Sequence, residues 1–210
     1  MSRVLIGCEF SGVMRRAFAA HGHDVWSCDL LPSDDSSPNH LQCDVEFAIQ
    51  SRRWDFIGIH LPCTSIALSG NPTYGRGKKK HSERLESMTW TQRVFELAKA
   101  NSRMGYFENP KNIMPRLIGK FSQRIQPYQY GHMEQKETWL WTWGLPPLIP
   151  SKDVFREMMK LPKKDRERIF YMPKSKTRGH QRSISYTGIA EAMAAQWSNP
   201  VYIQQSELFT

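Results

Sequence analysis

Two positions in the chain set a nucleophile and an acid at comparable places. Cys63 follows Pro62 just behind the apolar run Phe56-Ile57-Gly58-Ile59-His60, and Glu108 follows Met104-Gly105-Tyr106-Phe107. A thiol where a strand gives way to a loop is placed for covalent attack rather than burial. A carboxylic acid at a neighbouring strand end can give a proton to a ring nitrogen, so the pair suits attack on an electron-poor heterocycle. A lone cysteine is more often a small buried hydrophobe, and Glu108 weighs against that reading here. Two more strand ends are polar: Glu9-Phe10-Ser11-Gly12 and Asp29. An acid closing a second strand can take the ribose hydroxyls of a nucleoside cofactor, or it can be an ordinary turn residue. Parallel neighbouring strands would bring all four endings to one crevice.

The elements that must position these residues follow from the hydrophobic pattern. Residues 3–8 and 54–60 are short continuous apolar runs of the kind buried parallel strands need, and 24–28 reads as another strand, closing on Asp29. Between them, residues 13–20 read as a helix with Met14, Ala17 and Phe18 on one face, and Asp44 opens a short helix. A long helix is expected over 82–102, leading into a strand over 104–107. This alternation predicts an α/β, Rossmann-like fold with a mostly parallel sheet and helices on both faces. Residues 127–131 and 137–143 read as late strands forming an antiparallel edge. Trp139, Trp141 and Trp143 alternate onto one face, which can be a base-stacking platform but is better read as a packed sheet face. Residues 189–195 have good helix composition. His21 and His23 flank Gly22 with no partner at ligand spacing and receive no role.

Charge is unevenly distributed. The 210 residues carry 29 Lys/Arg against 20 Asp/Glu, a formal charge of +9. Residues 151–182 hold eleven of the basic residues and four acids, and residues 75–84 hold five and one, so the rest of the chain is slightly acidic. Such patches favour a polyanion, with nucleic acid ahead of an anionic membrane. Lys78, Lys79 and Lys80 lie in a glycine-rich loop after Cys63, either a flap closing on a phosphate backbone or a solvated disordered loop. The chain divides into a core over 1–150, a short basic insertion over 151–182 and a C-terminal helix returning to the core over 183–210. No run of 18 apolar residues is present, and the four cysteines (Cys8, Cys28, Cys43, Cys63) form no C-x-x-C pair. Reduced thiols in a cytoplasmic protein, with no structural metal and no membrane segment, are the expectation.

The order of these motifs resembles the DNA cytosine-5 methyltransferase superfamily. Phe10-Ser11-Gly12 looks like its cofactor motif, Pro62-Cys63 like its nucleophile motif and Glu108-Asn109-Pro110 like its acid motif. Wider phrasing is similar to a subgroup of short, phage-type proteins without a large target-recognition domain. It is carried by Cys8-Glu9-Phe10-Ser11-Gly12, His60-Leu61-Pro62-Cys63-Thr64, residues 126–132, Lys136-Glu137-Thr138-Trp139-Leu140-Trp141 and residues 188–194. The resemblance implies a Rossmann-like fold, S-adenosylmethionine as cofactor, and a bacterial or phage-infected cytoplasm. By the same resemblance Cys63 adds to C6 of cytosine while Glu108 protonates N3, and C5 takes the methyl group. Phe10, Ser11, Gly12, Asp29, Asp44 and Pro62 would hold the cofactor: Phe10 on the adenine ring, Asp29 on the ribose, Asp44 on the adenine amine. Asn109, Pro110 and Lys78 to Lys80 would meet the substrate, most simply DNA. Two other readings stay open: an enzyme acting on a cytosine nucleotide or single strand, and a non-catalytic binder of nucleic acid or of defence proteins.

Overall fold

The computed structural model describes residues 1–198; residues 199–210, the end of the segment assigned to a returning helix, lie outside the described residues. The strands are β1 (Arg3–Gly7), β2 (Asp24–Asp29), β3 (His40–Gln42), β4 (Phe56–His60), β5 (Met104–Pro110), β6 (Gln123–Ile125) and β7 (Thr138–Trp143). They form one seven-stranded sheet in the order β3-β2-β1-β4-β5-β7-β6. β1 to β5 run parallel, while β7 pairs antiparallel with both β5 and β6. Their apolar runs are continuous because each central strand is covered on both faces.

Alternation along each strand sorts the core into two layers. Val4, Ile6, Phe56 and Tyr106 join one cluster with α1 (Val13–Ala19), through Met14 and Phe18. The chain's last described helix, Thr187–Trp197, completes it through Ile189, Met193 and Trp197. Leu5, Ile57, Ile59 and Phe107 join the other, with α2 (Val45–Gln50) and the long helix His81–Asn101. Asp44 caps α2, its Oδ1 accepting the Glu46 N–H at 2.7 Å. Trp139 and Trp141 are buried in the second layer, with Trp143 packed against it, and Phe121 stacks on Trp139 at 4.4 Å. The tryptophan face is a packed one.

Three expectations change. Residues 127–131 are not a strand: Pro127 cannot donate to a ladder, and Gln126 and Gln129 cap each other around the 3-10 turn Pro127–Gln129. The edge is β6, and β7 is internal to the sheet. β3 is an additional strand that the pattern does not announce, because three residues paired on one side with β2 carry no apolar run. The glycine-rich loop after Cys63 is folded, with a turn over Leu68–Gly70 and α3 (Asn71–Tyr74) running into α4 (His81–Asn101). It is organised by the buried Arg84 of α4, which donates to Ser65 O at 2.7 Å, Asn71 Oδ1 at 2.7 Å and Ala67 O at 3.3 Å. Short helices link the remaining elements: α5 (Pro115–Ile118) precedes β6, and after β7 come α6 (Phe155–Met158), α7 (Lys163–Arg166), α8 (Arg168–Tyr171) and α9 (Arg178–Ser183), ahead of the longer α10 (Thr187–Trp197). No helix among the described residues is long and apolar enough to cross a membrane.

The sheet tolerates no side chain at Gly105 of β5. A Cβ there would lie 2.2 Å from Ile57 O and 2.3 Å from the Trp143 ring. Gly105→Ala is expected to cost about 1–3 kcal/mol by overpacking, read as a lower denaturant midpoint at an unchanged m-value.

Candidate active site

Parallel pairing of β4 with β5 sets His60 directly beside Glu108. β4 ends at His60 while β5 runs on to Pro110, and the chain beyond the pair is fastened together. The Asn109 amide donates to Leu61 O at 2.9 Å and accepts from Asn112 Nδ2 at 3.0 Å. Asn112 Oδ1 takes the Met114 N–H at 2.8 Å. Beyond Cys63, Leu68 N–H donates to Lys111 O at 3.1 Å and Ile113 N–H to Ile66 O at 3.2 Å. The nucleophile loop and the acid's loop are thus one stitched unit. Asn109, expected at the substrate, is buried with both ends of its amide engaged within the protein. Pro110 sits on β5 opposite Thr138, Pro62 is exposed and Cys63 is half-buried.

Electrostatics couple Cys63 to Glu108. Burial raises the Cys63 thiol above its ordinary value and the Glu108 charge raises it further, while Lys136 and Arg182 pull it back. Burial pushes Glu108 up as well, but the hydrogen bond from His60, the charge of Lys136 and a contact from Thr138 outweigh it and hold the carboxyl below its usual range. His60 Nδ1 lies 3.3 Å from Glu108 Oε2, and His60 Nε2 lies 2.7 Å from the Tyr106 hydroxyl. Sequence reasoning does not single out His60, Tyr106, Lys136 or Arg182. Only topology brings them here, although Gly58-Ile59-His60 facing Tyr106-Phe107-Glu108 is a visible pattern.

The other strand ends lie along the same edge. Glu9 follows β1, is buried, and accepts from the Ser11 hydroxyl and, at 3.0 Å, from Val13 N–H through Oε1. Its Oε2 is buried with no hydrogen-bond partner among the described residues. Gly12 caps α1 with φ of 70°, a left-handed conformation that suits glycine. Asp29 Oδ1 accepts Leu31 N–H at 2.9 Å, and Asp44 is exposed beyond its cap bond. Phe10 is only 7% exposed, because the His180 ring of α9 lies against it at 4.4 Å and pairs with Asp34 at 3.2 Å. Lys78, Lys79 and Lys80 are exposed ahead of α4 and share no hydrogen bond or ion pair with Cys63 or Glu108; Lys80 pairs with Glu83 at 3.0 Å. Beside that loop a cleft of about 480 Å³ is lined by Arg76, Arg84 and Arg116.

No family model and no curated protein matches this chain. Among solved structures it is similar to an Escherichia coli prophage protein described as a DNA modification methyltransferase, with a TM-score of 0.50 at 13% identity over 73% of this chain and 52% of that one. It is also similar to a triple mutant of Spodoptera frugiperda DNMT2, with a TM-score of 0.47 at 16% identity over 73% of this chain and 54% of that one. The chain spans about half the length of each structure. With the strand order and the reversed β7, the first likeness gives the class of fold: an α/β, Rossmann-like methyltransferase fold.

The coupling at the two strand ends has a direct chemical signature. Cys63 alkylation by iodoacetamide is expected to accelerate into alkaline pH. Glu108→Gln removes a charge that raises the thiol, so at pH 7.5 it exposes more thiolate and alkylates severalfold faster, a full pKa unit being tenfold. Lys136→Met acts in the opposite sense. Peptide-resolved mass spectrometry separates Cys63 from Cys8, Cys28 and Cys43, and a Glu108→Gln rate equal to wild type would break the coupling.

Proposed function

We propose that the chain is an S-adenosylmethionine-dependent methyltransferase acting on C5 of cytosine, with DNA as the polymer. The observation that carries this is the stitched unit: Cys63 and Glu108 stand at adjacent strand ends, fastened through Asn109 to Leu61. Support also comes from the fold shared with the prophage protein described as a DNA modification methyltransferase. The basic segments over 75–84 and 151–182, with Arg76 and Arg116 at the cleft, suit a phosphate backbone.

The residues at the ends of β1 to β3 fit the cofactor. Glu9 Oε2 is a buried acceptor with no partner among the described residues, suited to an ammonium group. Phe10, which this reading gives to adenine, already has a heteroaromatic ring against it, the His180 imidazole tilted at 4.4 Å. Asp29 and Asp44 are the acids available for ribose and adenine amine. When bound, S-adenosylmethionine supplies an electrophilic methyl group.

The chain's own residues do the rest. Cys63 as thiolate forms a bond to C6, and the C5–C6 electron pair moves to make C5 nucleophilic. Glu108, a carboxylate in the free chain, takes up a proton as the base enters and passes it to N3, which keeps the ring from accumulating negative charge. After C5 is alkylated, a solvent base takes the C5 proton and the C6–S bond breaks, returning the electron pair of that bond to Cys63 and the N3 proton to Glu108. Asn109 keeps nucleophile and acid in one frame during both halves. A target base inside a duplex must be flipped out of the stack to reach this frame.

Labelled S-adenosylmethionine offered with duplex DNA, single-stranded DNA, RNA and dCMP is expected to label the duplex. Label on none of them, with the cofactor demonstrably bound, sinks the reading; label on dCMP or a single strand alone moves it to that substrate. A 5-fluorocytosine duplex should trap a covalent adduct that Cys63→Ser abolishes, and an adduct persisting in that variant removes Cys63 from the mechanism. His180→Ala takes the competing ring off Phe10. Since such ring contacts contribute about 0.5–1.5 kcal/mol, cofactor binding by calorimetry should tighten roughly two- to tenfold.

A further inference from the structure

The strongest unassigned arrangement is the line of three side chains behind the proposed acid. Parallel pairing places Tyr106 beside Gly58 and Glu108 beside His60, and side chains two apart on a strand share a face. Because Gly58 has no side chain, the Tyr106 ring lies over it; a Cβ there would meet Tyr106 Cε1 at 2.4 Å and its hydroxyl at 2.8 Å. That room lets the phenol reach His60 Nε2 at 2.7 Å, while His60 Nδ1 faces Glu108 Oε2 at 3.3 Å. Tyr106 is fully buried, packed against Phe56 and Trp197, and His60 Nε2 is its hydroxyl's one hydrogen-bond partner among the described residues.

We propose that Tyr106 locks His60 as the neutral Nδ1–H tautomer, making His60 a positioning residue that offers one fixed donor to Glu108. A carboxylate only accepts, so Nδ1 must carry a proton. The phenol hydrogen has no acceptor among the described residues except Nε2, so Nε2 must keep its lone pair. An imidazolium would turn the phenol into an acceptor and orphan its hydrogen in the core. Charged groups flank the line. Glu108 already faces the Lys136 cation from the approach to β7, Glu9 faces Tyr106 from the end of β1, and Cys63 lies beyond Glu108 with Arg182. Burial keeps the Tyr106 phenol protonated. The proposal deepens the reading of Glu108 as the acid for N3 and its catalytic half rests on that reading. When Glu108 gives up its proton, the carboxylate formed is met by a donor already in place, which makes proton transfer more favourable.

The test is long-range 15N–1H correlation NMR on the full chain without cofactor or nucleic acid, with His60 assigned by loss of its signals in His60→Asn. The expected spectrum shows a protonated Nδ1 and an unprotonated Nε2. An Nε2–H tautomer, or a protonated Nε2 in the wild-type chain, overturns the lock. Tyr106→Phe should release Nε2 and show a mixture of tautomers; a pure Nδ1–H tautomer retained in that variant also overturns it. The wild-type spectrum decides the tautomer even where the variant does not fold. In the 5-fluorocytosine assay, His60→Leu should slow adduct formation about tenfold or more, with His60→Asn, which keeps a donor near Nδ1, recovering most of it. A His60→Leu rate equal to wild type removes the positioning role. No adduct in the wild-type chain strikes the function proposed above and leaves the tautomer result standing.

Discussion

The register between β4 and β5 is the constraint on which the rest of the site depends. Pairing His60 with Glu108 puts Tyr106 opposite Gly58, Asn109 within reach of Leu61 and Cys63 just past the same edge. A slip of one residue would turn Glu108 to the other face of the sheet and bury a carboxylate beside Ile57 and Ile59. Burying that charge without partners costs more than the strand pairing gains. Chemistry and packing therefore select the same register.

That register is itself held from both faces. Tyr106 and Phe56 are covered by α1 and α10, Phe107 and Ile57 by α4, and Gly105 brings β5 against Ile57 O and the Trp143 ring. Arg84 then does for the loop after Cys63 what the sheet does for the strands. Its guanidinium meets three acceptors from a segment too polar to build a core of its own. The glycines and lysines of that loop suggest disorder because composition does not reveal a single buried partner reaching back from a helix.

Much of this is legible in the residues. Runs ending at Cys8, Cys28, His60 and Phe107 mark the parallel strands, the first one residue too long, and Asp44 marks the start of α2 through its capping chemistry. Cys63 and Glu108 stand out because reactive groups directly behind apolar runs have few packing roles. Contacts between residues distant in the chain are the ones that stay hidden. Lys136 and Arg182 reach Cys63 only because β7 reverses and the basic segment folds back, and His180 covers Phe10 for the same reason. His60 appears only as the first residue of a motif and receives no role of its own, because a histidine in an apolar strand is commonly a core residue. Residues 127–131 mislead because alternating tyrosines look like a strand, while Pro127 and the glutamine pair favour a turn.

The packing of α1 against α10 also bears on how the molecule is made. Met14 and Phe18 leave the ribosome well before their partners Met193 and Trp197, which lie at the far end of the described residues. Until then one face of the nascent sheet, including Val4, Ile6 and Tyr106, stays bare to water while the opposite face can already close under α2 and α4. A ribosome-bound intermediate of this protein is thus half-roofed, with a sticky apolar surface of the kind that chaperones bind. The delay falls on the side of the sheet where Tyr106 sits, so the proposed acid gains its support only once residues 187–197 have been made.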